Sequence, residues 1–413
     1  MAPTLLSLDA DEARRAVETA VRNSYARLVS YLAARSGDVC SAEDALSEAL
    51  VAALRTWTKD GIPTKPEAWL LHAARRRLID RVRLARTHET HANDLRLMAE
   101  AEALSDAYGF PDERLKLLFV CAHPAIDARL HTPLMLQVVL GLDAVAIAAA
   151  FLVPASTMGQ RLSRAKTKIR DTRIEFDVPT GTELSGRLSA VLEAIYAAYG
   201  CGWDAIDGAD TDRRGLTEEA IWLARMAVEL VPEEPEALGL LALLQYCEAR
   251  RPARRCAGEY VPISEQDTRL WDLARLSEAD ELLTRAAAMK RHGRFQLEAA
   301  VQSAHAERAR GRQVNWEAIA LLYEGLVQLA PTLGALVGRA AAGAEVRGPV
   351  AGLALLDEIS ADDVELYQPY FAARAHFYQR LGHTEQASAA YAAAERLTQD
   401  GAVRRFLERV PRR

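Results

Sequence analysis

Residues 67–83 read Glu67-Ala68-Trp69-Leu70-Leu71-His72-Ala73-Ala74-Arg75-Arg76-Arg77-Leu78-Ile79-Asp80-Arg81-Val82-Arg83. Ala, Leu, Glu and Arg favour helix, and apolar positions fall three and four apart, which predicts a helix with a basic outer face. The same pattern runs through almost the whole chain, with β-branched residues sparse and no strand-like alternation over a useful length. The expected fold class is therefore all-α, built from many short helices. Aromatic residues interleaved with arginines, here Trp57 and Trp69 beside Arg75, Arg76, Arg77 and Arg81, suit single-stranded nucleic acid. Rings stack on bases while guanidiniums hold phosphates. Taken one at a time, each tryptophan reads instead as a core residue.

Upstream, Ser41-Ala42-Glu43-Asp44-Ala45-Leu46-Ser47-Glu48-Ala49-Leu50 predicts a second helix, opened by Ser41 as a cap with a carboxylate close by. Asp44 and Glu48 are four apart and share a face. Asp60-Gly61-Ile62-Pro63 breaks the chain between the two helices. Downstream, Ala144 to Phe151 forms a short apolar stretch, Leu152-Val153-Pro154 a turn, and Ser156 or Thr157 a cap for the next helix. On that helix Met158, Leu162, Ala165 and Ile169 face inward, leaving Gln160, Arg161, Arg164, Lys168 and also Lys166 outside. A helix that is basic outside and preceded by a tight turn can enter a major groove, where arginines pair guanine edges or phosphates. An ordinary hairpin with a solvated basic face carries the same pattern. Gly159, inside this helix, costs roughly 1 kcal/mol of helix propensity against Ala.

Composition bounds the rest. The chain has 413 residues, 50% hydrophobic and 26% charged, so it can bury real cores in several domains. Wholesale disorder, collagen-like repeats and disulfide-stapled minidomains are excluded. No apolar run approaches the roughly 18 residues of a membrane span. The N-terminus has no basic segment ahead of an apolar stretch, so neither a secretory signal nor a membrane partner is expected. Five scattered cysteines without a CxxC pair fit reduced thiols and a cytoplasmic location. The net charge is −6, but residues 1–180 carry 24 Lys+Arg against 23 Asp+Glu, whereas 181–413 carry 27 against 34. Arg55–Arg86 and Arg161–Arg173 form two basic stripes in an otherwise acidic chain, a nucleic-acid footprint or two solvated helix faces.

Three zones follow. Residues 12–90 form a helical unit, 91–110 a polar linker, and 111–175 a second, smaller helical unit. After a break at Phe176–Thr182, residues 184–413 read as helical hairpins punctuated by Gly and Pro. In the last hairpin Ala375, Tyr378, Gly382, Ala387, Tyr391 and Ala394 fall at tetratricopeptide offsets. Ala220, Ala224, Ala227 and Pro232 make a second partial match, and Tyr323 with Pro331 a third. Small residues let paired helices approach, and an aromatic fills the gap between them. Arg250–Arg255 and the stretch around Gln266-Asp267 and Trp271-Asp272 fall outside the repeat.

Glu43-Asp44-Ala45-Leu46-Ser47-Glu48, followed by Ala68-Trp69-Leu70-Leu71 and Ala74-Arg75-Arg76-Arg77-Leu78-Ile79-Asp80-Arg81, resembles region 2 of an extracytoplasmic-function (ECF) sigma factor. Ala146-Ile147-Ala148, Val153 to Met158 and Arg161 to Ala165 resemble region 4, with Ala146 where an acidic residue is common. The third zone resembles the long tetratricopeptide-like extension that one group of these factors carries. The resemblance implies that Asp44 and Glu48 face the polymerase, on the clamp helices of its β′ subunit. It implies that Trp57, Lys59, Lys65, Trp69, Arg75, Arg76, Arg77 and Arg81 serve the −10 element, with 59–65 as a base-capturing loop. Ser156, Thr157, Gln160, Arg161, Arg164 and Lys168 would then read the −35 element. Expected partners are core RNA polymerase through β and β′, promoter DNA, and an unidentified protein or peptide segment on the third zone. That zone is expected to regulate the first two in cis.

No Walker-type loop, GxSxG or HExxH is present, so no catalytic residue, cofactor or metal is expected. His88 with His91, and Cys121 with His123, lack further ligands at metal spacing and read as linker and packing residues. Two rival functions remain at this level: a helix-turn-helix regulator of duplex DNA with a tetratricopeptide-like sensor, and a repeat adaptor whose basic stripes are incidental.

Overall fold

The computed structural model of the chain describes residues 10–85, 112–151, 153–203, 211–398 and 400–409. The linker at 91–110 and the His88–His91 pair lie outside the described residues. The chain divides into two compact units, Met1–Cys201 and Gly202–Arg413. No helix among the described residues is long and apolar enough to cross a membrane.

The first unit opens with α1 (Ala10–Ser36), α2 (Val39–Asp60) and α3 (Pro66–Ala85), a three-helix bundle in which each helix packs on the other two. The cap of α2 is Asp38, whose carboxylate accepts from the Cys40 amide (3.0 Å) and the Ser41 hydroxyl (2.5 Å). Ser41 therefore sits inside the helix, supporting the cap expected of it. Gly61 ends α2 at φ 90°, in the left-handed region where a Cβ would be strained. The core of the bundle holds Leu28, Tyr31, Leu32, Leu46, Trp57 and Leu70.

Then come α4 (Arg114–Cys121), α5 (Ala128–Val138), α6 (Ala144–Ala150) and α7 (Ala155–Thr172). Asp143 caps α6 through the Ala146 amide (2.7 Å). Helix α7 starts at Ala155 directly after Pro154 and has no side-chain cap, so neither Ser156 nor Thr157 plays that part. Proline supplies the entry by fixing φ. Met158, Leu162, Ala165 and Ile169 are buried, as the spacing predicts. Helix α8 (Gly181–Trp203) belongs largely to this unit, so the division falls near 201 and not at the 176–182 break. That break interrupts the helical pattern without separating the packing, because Glu183 and Arg187 of α8 act electrostatically on His123.

The second unit is a succession of antiparallel hairpins around α10 (Pro235–Ala249), which is apolar on nearly all sides and correspondingly buried. It packs on α9 (Thr211–Leu230), α11 (Leu273–Ala288) and α12 (Arg294–Ala306). The chain continues through α13 (Trp316–Leu329), α14 (Leu333–Arg347), α15 (Pro349–Asp357), α16 (Ala361–Val364), α17 (Gln368–Arg380), α18 (Thr384–Leu397) and α19 (Gly401–Arg409). The stretch that departs from the repeat holds a two-stranded ribbon, β1 (Arg255–Cys256) with β2 (Glu259–Tyr260), and short 3-10 turns. Arg308 closes this stretch by donating to the carbonyls of Ile263, Ser264 and Gln266 while lying over the Trp271 ring. In the last hairpin Tyr391 fills the gap between α17 and α18, among Ala375, Ala390, Ala394 and Leu407.

Candidate nucleic-acid interface

Helix α3 sorts its own basic residues. Arg76 and Arg77 are exposed, as are Lys59 at the end of α2 and Lys65 in the connecting loop. Arg75 is only 7% exposed. It donates to the Tyr31 hydroxyl (2.7 Å), and Arg35 lies over the same ring, 3.7 Å from its centroid. Arg75 thus braces α3 on α1, and the structure corrects its expected role as a direct DNA contact. Trp57 is corrected too. It is 0% exposed and meets Trp69 edge to face at 5.6 Å, so its ring is core and cannot stack on a base in this conformation. Trp69 is half-buried. Arg81 lies on the last turns of α3.

On α2, Asp44 and Glu48 are both exposed on one face, which continues through Ser47, Val51 and Arg55. Val51 is 48% exposed and Leu54 40%, so this face is apolar as well as acidic. Ser47, Glu48, Val51, Ala52, Arg55 and Arg77 line an open cleft there. Glu48 and Arg77 approach to 3.5 Å with both side chains about half exposed, a geometry worth little stability. A second open cleft, about 350 Å³, lies where the 61–66 connection meets α1, lined by Glu12, Arg15, Thr19, Ile62, Pro66 and Glu67.

Helices α6 and α7 pack together, with α5 behind α7. Gln160, Arg161, Arg164 and Lys168 are exposed on the outer face of α7, Ser156 is exposed at its start, and Thr157 is half-buried. Lys166 departs from this set. Its ammonium pairs with the Glu43 carboxylate of α2 at 2.7 Å, with both side chains under a fifth exposed. Burial, with the Glu43 and Asp44 carboxylates adding to it, pushes the Tyr25 hydroxyl up to about 12. Burial, then Asp38, raises the Cys40 thiol, which Lys166 and Arg170 partly offset.

Cys121 and His123 are engaged in packing and a backbone turn. The thiol is fully buried and pushed upward by desolvation, while His123 Nδ1 accepts the Ala125 amide (3.1 Å). No group of three or more metal-ligating side chains occurs among the described residues. Sequence reasoning missed Tyr31, Glu43 and Glu113, which tie helices together. Only Glu43 had a signal, its neighbourhood to Asp44.

Residues 20–87 match sigma-70 region 2, and residues 187–287 match a family of unknown function, DUF6596. An uncharacterized protein of Rhizobium meliloti (strain 1021) is 35% identical over 359 residues, covering 85% of this chain and 84% of that protein. No solved structure matches. The three-helix bundle of α1 to α3 is thus the region 2 domain, and the chain belongs to one family with the rhizobial protein, as a sigma-70 family member with a role in transcription initiation.

Proposed function

We propose that the chain is an ECF-type sigma factor that joins core RNA polymerase, reads promoter DNA through α3 and α7, and is regulated in cis by its second unit. The observation that carries this reading is the exposure, on one unit, of two separate basic surfaces and one acidic-apolar face. Lys59, Lys65, Arg76 and Arg77 would hold −10 strands. The cleft beside the 61–66 connection would receive an extruded base, whose lost stacking costs a few kcal/mol. Gln160, Arg161, Arg164 and Lys168 would read the −35 element from the helix-turn-helix. Asp44 and Glu48, with Val51 and Leu54 beyond them, would meet the polymerase, through its β′ subunit. A regulator of duplex DNA alone has no use for that third face.

The second unit is acidic, so phosphates would repel it from DNA. Its hairpins, tetratricopeptide-like in their small-residue and Tyr391 positions, suit capture of a protein or peptide segment. Run-off transcription with purified core polymerase tests the whole reading, and promoter-specific transcripts are expected. Arg161→Ala with Arg164→Ala should weaken −35 binding by roughly 1–3 kcal/mol while helicity stays unchanged. Absence of transcripts, with duplex binding retained, would replace the sigma reading by the helix-turn-helix regulator.

A further inference from the structure

The second unit closes on itself. In an open helical-repeat array each hairpin touches only its neighbours in sequence. Here the packing runs from α10 through α12, α13, α14, α15, α17 and α18 to α19. Helix α19 then lies against β2, and the ribbon leads back through β1 and the Arg251–Ala253 turn to α10. Arg255 and Asp400, 145 positions apart, meet where the circuit closes.

That joint is unlike the others. Elsewhere helix meets helix through buried apolar side chains, such as Val337, Ala340 and Leu356 around α14 and α15, or Ala375, Tyr391 and Ala394 between α17 and α18. In the ribbon none of Arg255, Cys256, Glu259 and Tyr260 is buried. Its ties to α19 are mainly ionic. Arg255 pairs with Asp400 at 2.5 Å, and the same carboxylate caps α19 through the Ala402 amide (2.8 Å). Glu259 accepts from Arg405 (2.9 Å) and Arg409 (2.5 Å), whose side chains are about half exposed. Arg405 also donates to the Gly258 carbonyl (3.1 Å), and Tyr260 meets Phe406 edge to face at 5.5 Å. Two residues a strand make a weak ribbon, since isolated hairpins are marginal in water. Its turn is strained: Ala257 sits at φ 51° beside Gly258 at φ 79°, in the left-handed region that favours glycine. The other end of this insert is held fast by Arg308 on three carbonyls.

We propose that the joint between the ribbon and α19 is a clasp, and that the second unit switches between this closed circuit and an open array by parting there. Parting costs few buried contacts, and half-exposed ion pairs yield to salt. The strained turn biases the ribbon toward release. The use of the switch rests on the proposed function above: an open array offers a protein segment the extended surface that a closed circuit withholds.

Hydrogen exchange of the full chain tests the clasp. Segments 254–261 and 401–409 should open together, faster than α17 and α18, and raising salt from about 0.05 to about 0.5 M should speed both about two- to fivefold. Ala257→Gly relieves the turn and should slow exchange of both segments about three- to tenfold, although α19 lies far along the chain. Glu259→Gln should speed both about two- to fivefold. Glu345→Gln is the control: it breaks a similarly exposed pair with Arg380, at a joint held by apolar packing, and should change neither segment. An α19 that ignores both ribbon variants, or segments that open only with the whole unit, overturns the clasp. Run-off transcription separates the clasp from the reading it serves, with opposite changes expected for Ala257→Gly and Glu259→Gln. Exchange that responds as expected while transcription does not would keep the clasp and refute regulation by the second unit.

Discussion

Replacing Gly239 by Ala separates helix propensity from packing. Gly239 lies inside α10, where Ala is ordinarily better by about 1 kcal/mol. Here an added Cβ would sit 2.7 Å from the Gln296 amide nitrogen and 3.0 Å from its Cα. Carbon contacts are relaxed at about 3.5–4.0 Å, and a neighbouring backbone cannot rotate away, so α10 and α12 would have to part by roughly 1 Å. An extra methyl in a packed core costs about 1–3 kcal/mol. The same approach lets Glu236 accept from the amides of Phe295 (3.0 Å) and Gln296 (3.2 Å) at the start of α12, and stretching these adds about 1 kcal/mol. After subtracting the propensity gain, a net loss of about 1–3 kcal/mol remains. Gly215→Ala is the control in the same unit: it is helical and exposed, and its added Cβ meets nothing within 4 Å, so it should gain about 0.5–1 kcal/mol. Hydrogen exchange of α10 and α12 in the full chain measures both. Equal, stabilising effects at the two positions would refute the close approach of α10 and α12.

Two further outcomes follow from the second unit. Tyr391→Ala should cost about 3–5 kcal/mol in the α17–α18 hairpin. Tyr391→Phe, which loses only the hydroxyl donated to Gln379 (2.8 Å), should cost about 0.5–1.5 kcal/mol; similar losses in urea unfolding would mean the ring is not buried. His305, edge to face with Trp316 at 5.4 Å, is held down at about 4 by burial and then by Arg250 and Arg308. Between its ordinary value of 6.5 and about 4 the unfolded chain takes up a proton that the folded one refuses. Stability present above 6.5 should therefore drain away across that window, by up to about 3 kcal/mol. His305→Gln should flatten this part of the urea-midpoint profile against pH, and coincident profiles would contradict the assignment.

The all-α class, the break at Gly61 and the inward stripe Met158, Leu162, Ala165 and Ile169 were legible in the sequence, because helical periodicity and turn chemistry are local properties. Periodicity says which residues share a face; it does not say which faces find a partner. Trp57 and Trp69 read alike in sequence, yet only Trp57 is swallowed by the α1–α3 bundle. Arg75, Arg76 and Arg77 are one run, but Tyr31, 44 positions away, takes Arg75 out of the basic surface. Lys166 is outward by spacing and is claimed by Glu43 from another helix. The cap of α2 shifted from Ser41 for a related reason, since Asp38 stands just ahead of the helix, where a carboxylate meets unpaired amides. The sequence by itself determined the helices and their faces; the tertiary structure decided which charges and rings remain at the surface, because burial is a property of the neighbour and not of the residue.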